Sequence, residues 1–170
     1  MKFNMASKKI IIIDIDGVLV SYPEHFENYV FDLLKIRYTL DEIKLLPQYQ
    51  LLKYSFRVSN IKRTLPILND NIPKIIDQLR KLYNVWIVTH RPIEMSGMDT
   101  IAWLDVNKIG YDEIFFVKNK ICFMHAIKES ILAIIDDEDN NLIPFKDSGI
   151  VMIHISGPAD WMNILKTKII

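Results

Sequence analysis

The sequence predicts an α/β fold: a Rossmann-like, three-layer α/β/α parallel sheet with a small helical segment inserted after the first strand. Three observations predict it. Short aliphatic runs alternate with stretches of helical spacing along most of the chain. The runs are nearly free of polar alternation, as in strands buried on both faces. Residues able to do chemistry recur just where these runs end.

The first run, residues 9–14, reads as a core strand, and Gly17 follows where the backbone must turn. Residues 22–71 contain no second strand of this kind. Phe26, Tyr29, Val30, Leu33 and Leu34 fall at helical spacing, and Thr39 with Glu42 forms a capping-box pattern. The predicted division is therefore a core of residues 1–20 and 72–170 with a helical insertion of residues 21–71. Regular alternation follows. Residues 73–83 read as a helix with Pro73 in its first turn, and 85–89 as a strand. Residues 99–108 read as a helix ending at Gly110, 113–117 as a strand and 120–130 as a helix. Residues 131–135 are a strand of nearly pure aliphatics, 141–148 a short helix before Gly149, and 150–155 a last strand.

The 170 residues suit one domain. Half are hydrophobic and 25% charged, a globular balance. The formal net charge is zero, which weighs against broad binding to nucleic-acid backbones but allows a small anion in a local positive pocket. No stretch approaches the length of a membrane span, and the N-terminal apolar run is too short for a signal peptide. The single cysteine, Cys122, offers no disulfide or zinc spacing and reads as a small buried residue in a reducing, cytoplasmic setting. The composition leaves a homodimer open.

The strand ends collect Asp14 and Asp16, then Thr89, His90 and Arg91, then Lys118 and Lys120, then Asp136 and Asp137. A parallel sheet puts all of these on one rim. Hydrolysis of a phosphomonoester needs such a set: a carboxylate nucleophile, a second acid, a hydroxyl and an ammonium around the phosphate, and Mg²⁺ to offset repulsion between anions. Lys118 and Lys120 are both candidates for the cation, and Asp136 and Asp137 for completing a metal site. Each group also has a plain reading as turn, cap or surface charge, but four such accidents on one rim are improbable.

In this order, DIDGVL at 14–19, Thr89 after an apolar strand, a lysine before the next strand and IIDD at 134–137 resemble the four motifs of haloacid dehalogenase-like phosphatases. The resemblance implies roles. Asp14 is the nucleophile and a magnesium ligand. Asp16 is the general acid/base, its carbonyl also reaching the metal. Thr89 binds phosphate, and Lys120, favoured over Lys118, stabilises nucleophile and phosphate. Asp137, with Asn141 at the expected spacing, is the first choice for direct metal ligation, and Asp136 lies in the metal's first or second shell. Dehalogenases of this superfamily lack an acid at the place of Asp16.

By the same resemblance, the insertion is a cap that closes over the site. Tyr22, Phe26, Tyr29, Tyr49, Tyr54 and Phe56 are aromatics that either stack on a base or form the cap's own core; Lys53, Arg57, Lys62 and Arg63 lie among them. Arg91-Pro92 followed by Thr100, Trp103 and Leu104 is similar to the 5′(3′)-deoxyribonucleotidase, or 5′-nucleotidase type C, branch. That likeness implies a nucleoside monophosphate substrate touched by Thr89, His90, Arg91, Lys118 and Lys120, although His90 stands where a smaller residue is expected. Trp103 itself suits a core position. Other small phosphate esters, a polynucleotide 3′-end phosphatase and a non-catalytic binding module are the competing readings.

Overall fold

The computed structural model describes residues 8–164. Five strands form one all-parallel sheet: β1 (Ile10–Ile13), β2 (Asn84–Thr89), β3 (Glu113–Phe116), β4 (Ile131–Asp136) and β5 (Val151–His154). Their order is β3-β2-β1-β4-β5. The chain thus builds outward from β1 in one direction, then returns to build in the other. The switch point lies between β1 and β4, where Ile13 stands level with Ile135. Ligands of open parallel sheets bind at this place.

The all-isoleucine β1 is buried on both faces, and its side chains divide two cores. Ile11 and Ile13 join the larger cluster, with Trp103 and Trp161; Ile10 and Ile12 join the smaller, with Met124 and Phe145. Full burial of each isoleucine contributes roughly 1.5–3 kcal/mol. The continuous run therefore fixes β1 at the sheet's centre.

Helices cover both faces. The helix α4 (Ile72–Leu82) has Pro in its first turn, as predicted, and buries Ile72, Ile75, Ile76 and Leu79, the spacing of one helical stripe. Further on come α5 (Ile93–Val106), α6 (Lys120–Ala126), the single turn α7 (Asp139–Leu142) and α8 (Asp160–Ile164). Among the described residues no helix is long and apolar enough to cross a membrane.

Four expectations are corrected. The predicted helix at 99–108 begins earlier, at Ile93. Ser96, Gly97 and Thr100 are poor helix formers that hid this start, yet they lie buried on the helix. That helix ends before Gly110: the left-handed residue is Lys108, at φ 55°. The helix at 120–130 stops at Ala126 and continues only as a 3-10 turn, Lys128–Ser130. Cys122 is exposed, not buried, because α6 turns Lys120 and Met124 inward.

The chain leaves the core at Val20 and returns at Ile67, and these two residues bridge antiparallel. Between them lie α1 (Tyr22–Leu34), α2 (Leu40–Leu45), α3 (Tyr49–Val58) and a 3-10 turn, Ile61–Arg63. The Thr39/Glu42 capping box forms as predicted. Phe26, Val30, Ile43, Leu52 and Phe56 are buried together, with the Phe26 and Phe56 rings 5.3 Å apart edge to face.

Candidate active site

The DIDG turn sets the site. Asp14 follows β1 and is tied to the sheet by its N–H, which donates to Ile135 O at 3.0 Å. Gly17 has φ +84°, a conformation that glycine adopts at little cost. A Cβ at Gly17 would lie 2.0 Å from Asp137 Oδ2. Glycine therefore serves twice: it turns the chain and admits the Asp137 carboxylate.

Lys120, at the first turn of α6, reaches back across the rim. Its Nζ lies 2.8 Å from Asp14 Oδ2 and 3.0 Å from Asp136 Oδ2. The start of α6 is pinned as well, since the Lys120 N–H donates to His90 Nε2 at 3.3 Å. A neutral His90 accepting there carries its proton on Nδ1. Burial and the Lys120 ammonium lower its pKa and favour that neutral form. Burial works against the Lys120 charge, but Asp14 and Asp136 outweigh it and raise the ammonium's pKa.

Asp136 is fully engaged. Besides Lys120, its Oδ1 accepts from the Glu138 N–H and from Asn141 Nδ2, each at 3.0 Å. The 137-to-141 spacing read from the sequence therefore serves Asp136, which Asn141 holds. Asp14 Oδ1 and Asp137 Oδ1 are buried and have no hydrogen-bond partner. Asp14, Asp136 and Asp137 each offer an oxygen within 4.8 Å of the others. Burial, then the neighbouring carboxylates, pushes Asp137 up to about 7; burial does the same for Asp14, with Lys120 opposing and Asp136 adding. Two unpartnered carboxylate oxygens in one crowded anionic cluster could hold a hard divalent cation.

Asp16 lies in a different field. Arg91 Nε lies 3.0 Å from its Oδ2, and Arg91 Nη2 bonds Oδ1. Lys62 Nζ adds a contact at 3.3 Å to Oδ2. Burial alone would raise the Asp16 pKa; the two cations overcome it and hold the carboxyl far below the usual range. Burial, and less strongly Arg91 and Arg57, lowers the Lys62 ammonium to about 8 against the opposing pull of Asp16. Thr89 Oγ1 accepts from the Arg91 N–H at 3.2 Å, and Thr100 Oγ1 from Arg91 Nη1 at 3.1 Å.

One cavity gathers Asp14, Asp16, Thr89, His90, Lys120 and Asp137, with Arg91 and Lys62 in its wall. Lys118 is exposed and borders the adjoining cavity instead. Of the aromatics, Tyr22 and Tyr49 reach the site cavity, and burial with the Asp16 charge raises the Tyr22 pKa. Phe26 and Phe56 are core, while Tyr54 is half exposed and away from the site. Trp103 is core, its Nε1 donating to Leu65 O at 2.6 Å. Lys62 was legible only as one of several cations in the insertion. Its role comes from the docking of the Ile61–Arg63 turn beside α5, where Arg63 Nε bonds Asp99 Oδ1 at 2.6 Å.

No protein-family model and no curated protein matches the sequence. Solved structures match the fold. A haloacid dehalogenase-like family hydrolase from Streptococcus pneumoniae shares 16% identity over 94% of this chain and 91% of that one, with a TM-score of 0.62. A HAD family hydrolase from Deinococcus radiodurans R1, with bound phosphate and sodium, gives 13%, 94%, 89% and 0.60 on the same measures. YfnB of Bacillus subtilis, bound to magnesium, gives 13%, 86%, 86% and 0.53. The sheet order, the inserted helices and these likenesses establish that the chain has the haloacid dehalogenase-like fold.

Proposed function

We propose that the chain is a Mg²⁺-dependent phosphomonoester hydrolase acting through an aspartyl-phosphate on Asp14, with nucleoside and deoxynucleoside monophosphates as the substrate class. The observation that carries the reading is the convergence of Asp14, Lys120 and Asp137 on one cavity, with an unpartnered oxygen on each of the two acids. Asp14, the Asp16 carbonyl and Asp137 would hold the ion, with Asp136 behind them positioning Lys120. When bound, Mg²⁺ supplies positive charge against which carboxylate and phosphate can approach.

Asp14 Oδ attacks phosphorus and the ester P–O bond breaks, the leaving oxygen taking a proton from Asp16. Water then attacks the phosphorus, gives its proton to Asp16, and the P–Oδ bond breaks to restore the Asp14 carboxylate. Thr89 and Lys120 hold the transferring phosphoryl oxygens. In the arrangement described, Asp16 is ionised, the state that accepts a proton from water. To donate one it must first be freed from Arg91 and Lys62.

We take residues 21–71 as a cap whose Tyr22 and Tyr49 meet the leaving group; rings in the cavity wall suit a nucleobase. The decisive experiment measures phosphate release from nucleotides, sugar phosphates and p-nitrophenyl phosphate, with and without Mg²⁺, for the wild type and Asp14→Asn. Mg²⁺-dependent release that is lost in Asp14→Asn is expected. Retained release in that variant overturns the mechanism, and cleavage of sugar phosphates alone overturns the nucleotide assignment.

A further inference from the structure

We propose that the substrate carries a second phosphate group, bound by Lys53 and Arg57 of α3 beside the phosphoryl group that Asp14 attacks. This rests on the phosphatase reading of the site and narrows its substrate to esters whose leaving group is itself anionic.

The helix α3 has two faces. Leu52 and Phe56 are buried in the core. Tyr49, Lys53 and Arg57, each four residues apart, line the site cavity on another face. Like charges at that spacing repel on an isolated helix, so the pair opposes folding unless an anion meets it. Among the described residues neither Lys53 nor Arg57 forms an ion pair, whereas the other inward-facing cations of the site do: Lys62 and Arg91 on Asp16, and Lys120 on Asp14 and Asp136. Lys53 Nζ lies over the Tyr49 ring, 5.5 Å from its centroid. Arg57 is close enough to depress the Lys62 ammonium, and Lys53 the His90 imidazole. Lys53 and Arg57 therefore add positive charge to a partly enclosed space with no acid paired to either, the acids of the cavity being Asp14, Asp16, Asp137 and Glu138.

The topology says where an anion would lie. The cavity holding Asp14 and the adjoining one toward Lys118 share Lys53, Arg57, His90 and Arg91 as common wall. The second cavity is bordered by one acid, Glu94. A ligand with its reacting phosphoryl at Asp14 and Lys120 thus extends past Lys53 and Arg57, and Lys118 continues the basic edge beyond. Phosphate matches a guanidinium and an ammonium side by side, with several oxygens to share between them. Two sources supply this chemistry: a free nucleoside bisphosphate, or the phosphodiester next to a phosphorylated oligonucleotide end.

The test uses the full chain with Mg²⁺. Titration calorimetry on Asp14→Asn protein compares a nucleoside 5′-monophosphate with the 3′,5′-bisphosphate, and a 3′-phosphorylated nucleoside with a 3′-phosphorylated dinucleotide. In at least one pair the second phosphate is expected to tighten binding about tenfold or more, and Lys53→Met/Arg57→Met is expected to bring that ratio close to one. Which pair shows the preference identifies the source. Equal binding within both pairs, or a preference that survives Lys53→Met/Arg57→Met, overturns the second-phosphate site. Turnover of the wild type on the same compounds separates the two readings: absence of phosphate release from every ester overturns the phosphatase reading, while the binding ratio still judges the second-phosphate site.

Discussion

Arg91 grips Asp16 through both carboxylate oxygens, and Thr100 holds the guanidinium from behind. The pair links the end of β2 to the turn after β1. Arg91 is 2% exposed, so its charge has little water to fall back on. Removing Arg91 takes away the bidentate partner of Asp16 and leaves Lys62 as its remaining cation. Arg91→Met is therefore expected to lose about 3 kcal/mol of stability at pH 7. Asp16 has a lowered pKa in the folded state, so its stabilisation is present above the unfolded carboxyl pKa and fades as pH falls toward the folded one. The loss measured by urea unfolding should thus be smaller at pH 3 than at pH 7. An equal loss at both, or in an Asp16→Asn background, would mean that the pair is not what Arg91 contributes.

Asp16→Asn separates the two halves of the proposed reaction. A p-nitrophenolate needs no proton to leave, but hydrolysis of the aspartyl-phosphate still needs a base. The variant should release about one p-nitrophenol per site in a rapid burst and then turn over slowly. On a nucleotide, whose alkoxide leaves poorly, the first step should itself fall by about 10²–10⁴-fold. Rapid-quench kinetics on the two esters provides the check. Equal losses on both esters without a burst would remove Asp16 from proton transfer.

Ion binding should depend on pH in a stated direction. Asp14 and Asp137 are raised to about 7, so between the unfolded value near 3.8 and about 7 the folded protein holds protons that the unfolded chain has released. Without metal, this contribution to stability falls as pH rises through that window. Mg²⁺ must displace those protons, so its affinity should rise with pH until about 7 and then level off. The thermal shift produced by Mg²⁺ should be small at pH 5.5 and larger at pH 8. It should largely vanish in Asp137→Asn. A shift independent of pH would place the ion elsewhere.

The fold was legible because burial on both faces writes itself into a sequence: IIII at β1 and ILAII in β4 leave few alternatives. Asp14, Asp16, Thr89, Lys120 and Asp137 could be read as neighbours because parallel strands bring their carboxyl ends to one rim. Lys62 could not. It is 2% exposed and reaches Asp16 across 46 positions, and no periodicity encodes where a short 3-10 turn will dock. The likeness made Arg91 a substrate contact; its side chain lies in the cavity wall with its charge on Asp16, a pairing that no spacing in the sequence announces. The earlier start of α5 was hidden for a local reason, because Ser96 and Gly97 weaken helix propensity where tertiary burial decides the outcome.

Gly17 and Gly149 allow backbone strain to be separated from site geometry. Both have positive φ, +84° and +79°. Alanine at either position pays for a left-handed conformation, about 1 kcal/mol. At Gly149 a Cβ meets nothing within 4 Å, so Gly149→Ala should show that loss alone and keep the Mg²⁺ thermal shift. At Gly17 the Cβ would fall 2.0 Å from Asp137 Oδ2, and the carboxylate must move away. Gly17→Ala should therefore lose more stability than Gly149→Ala, lose the Mg²⁺ shift and lose phosphate release. Were the two variants to respond alike to Mg²⁺, the glycine would matter only for its turn, and the close packing of Asp137 against it would have no part in holding the ion.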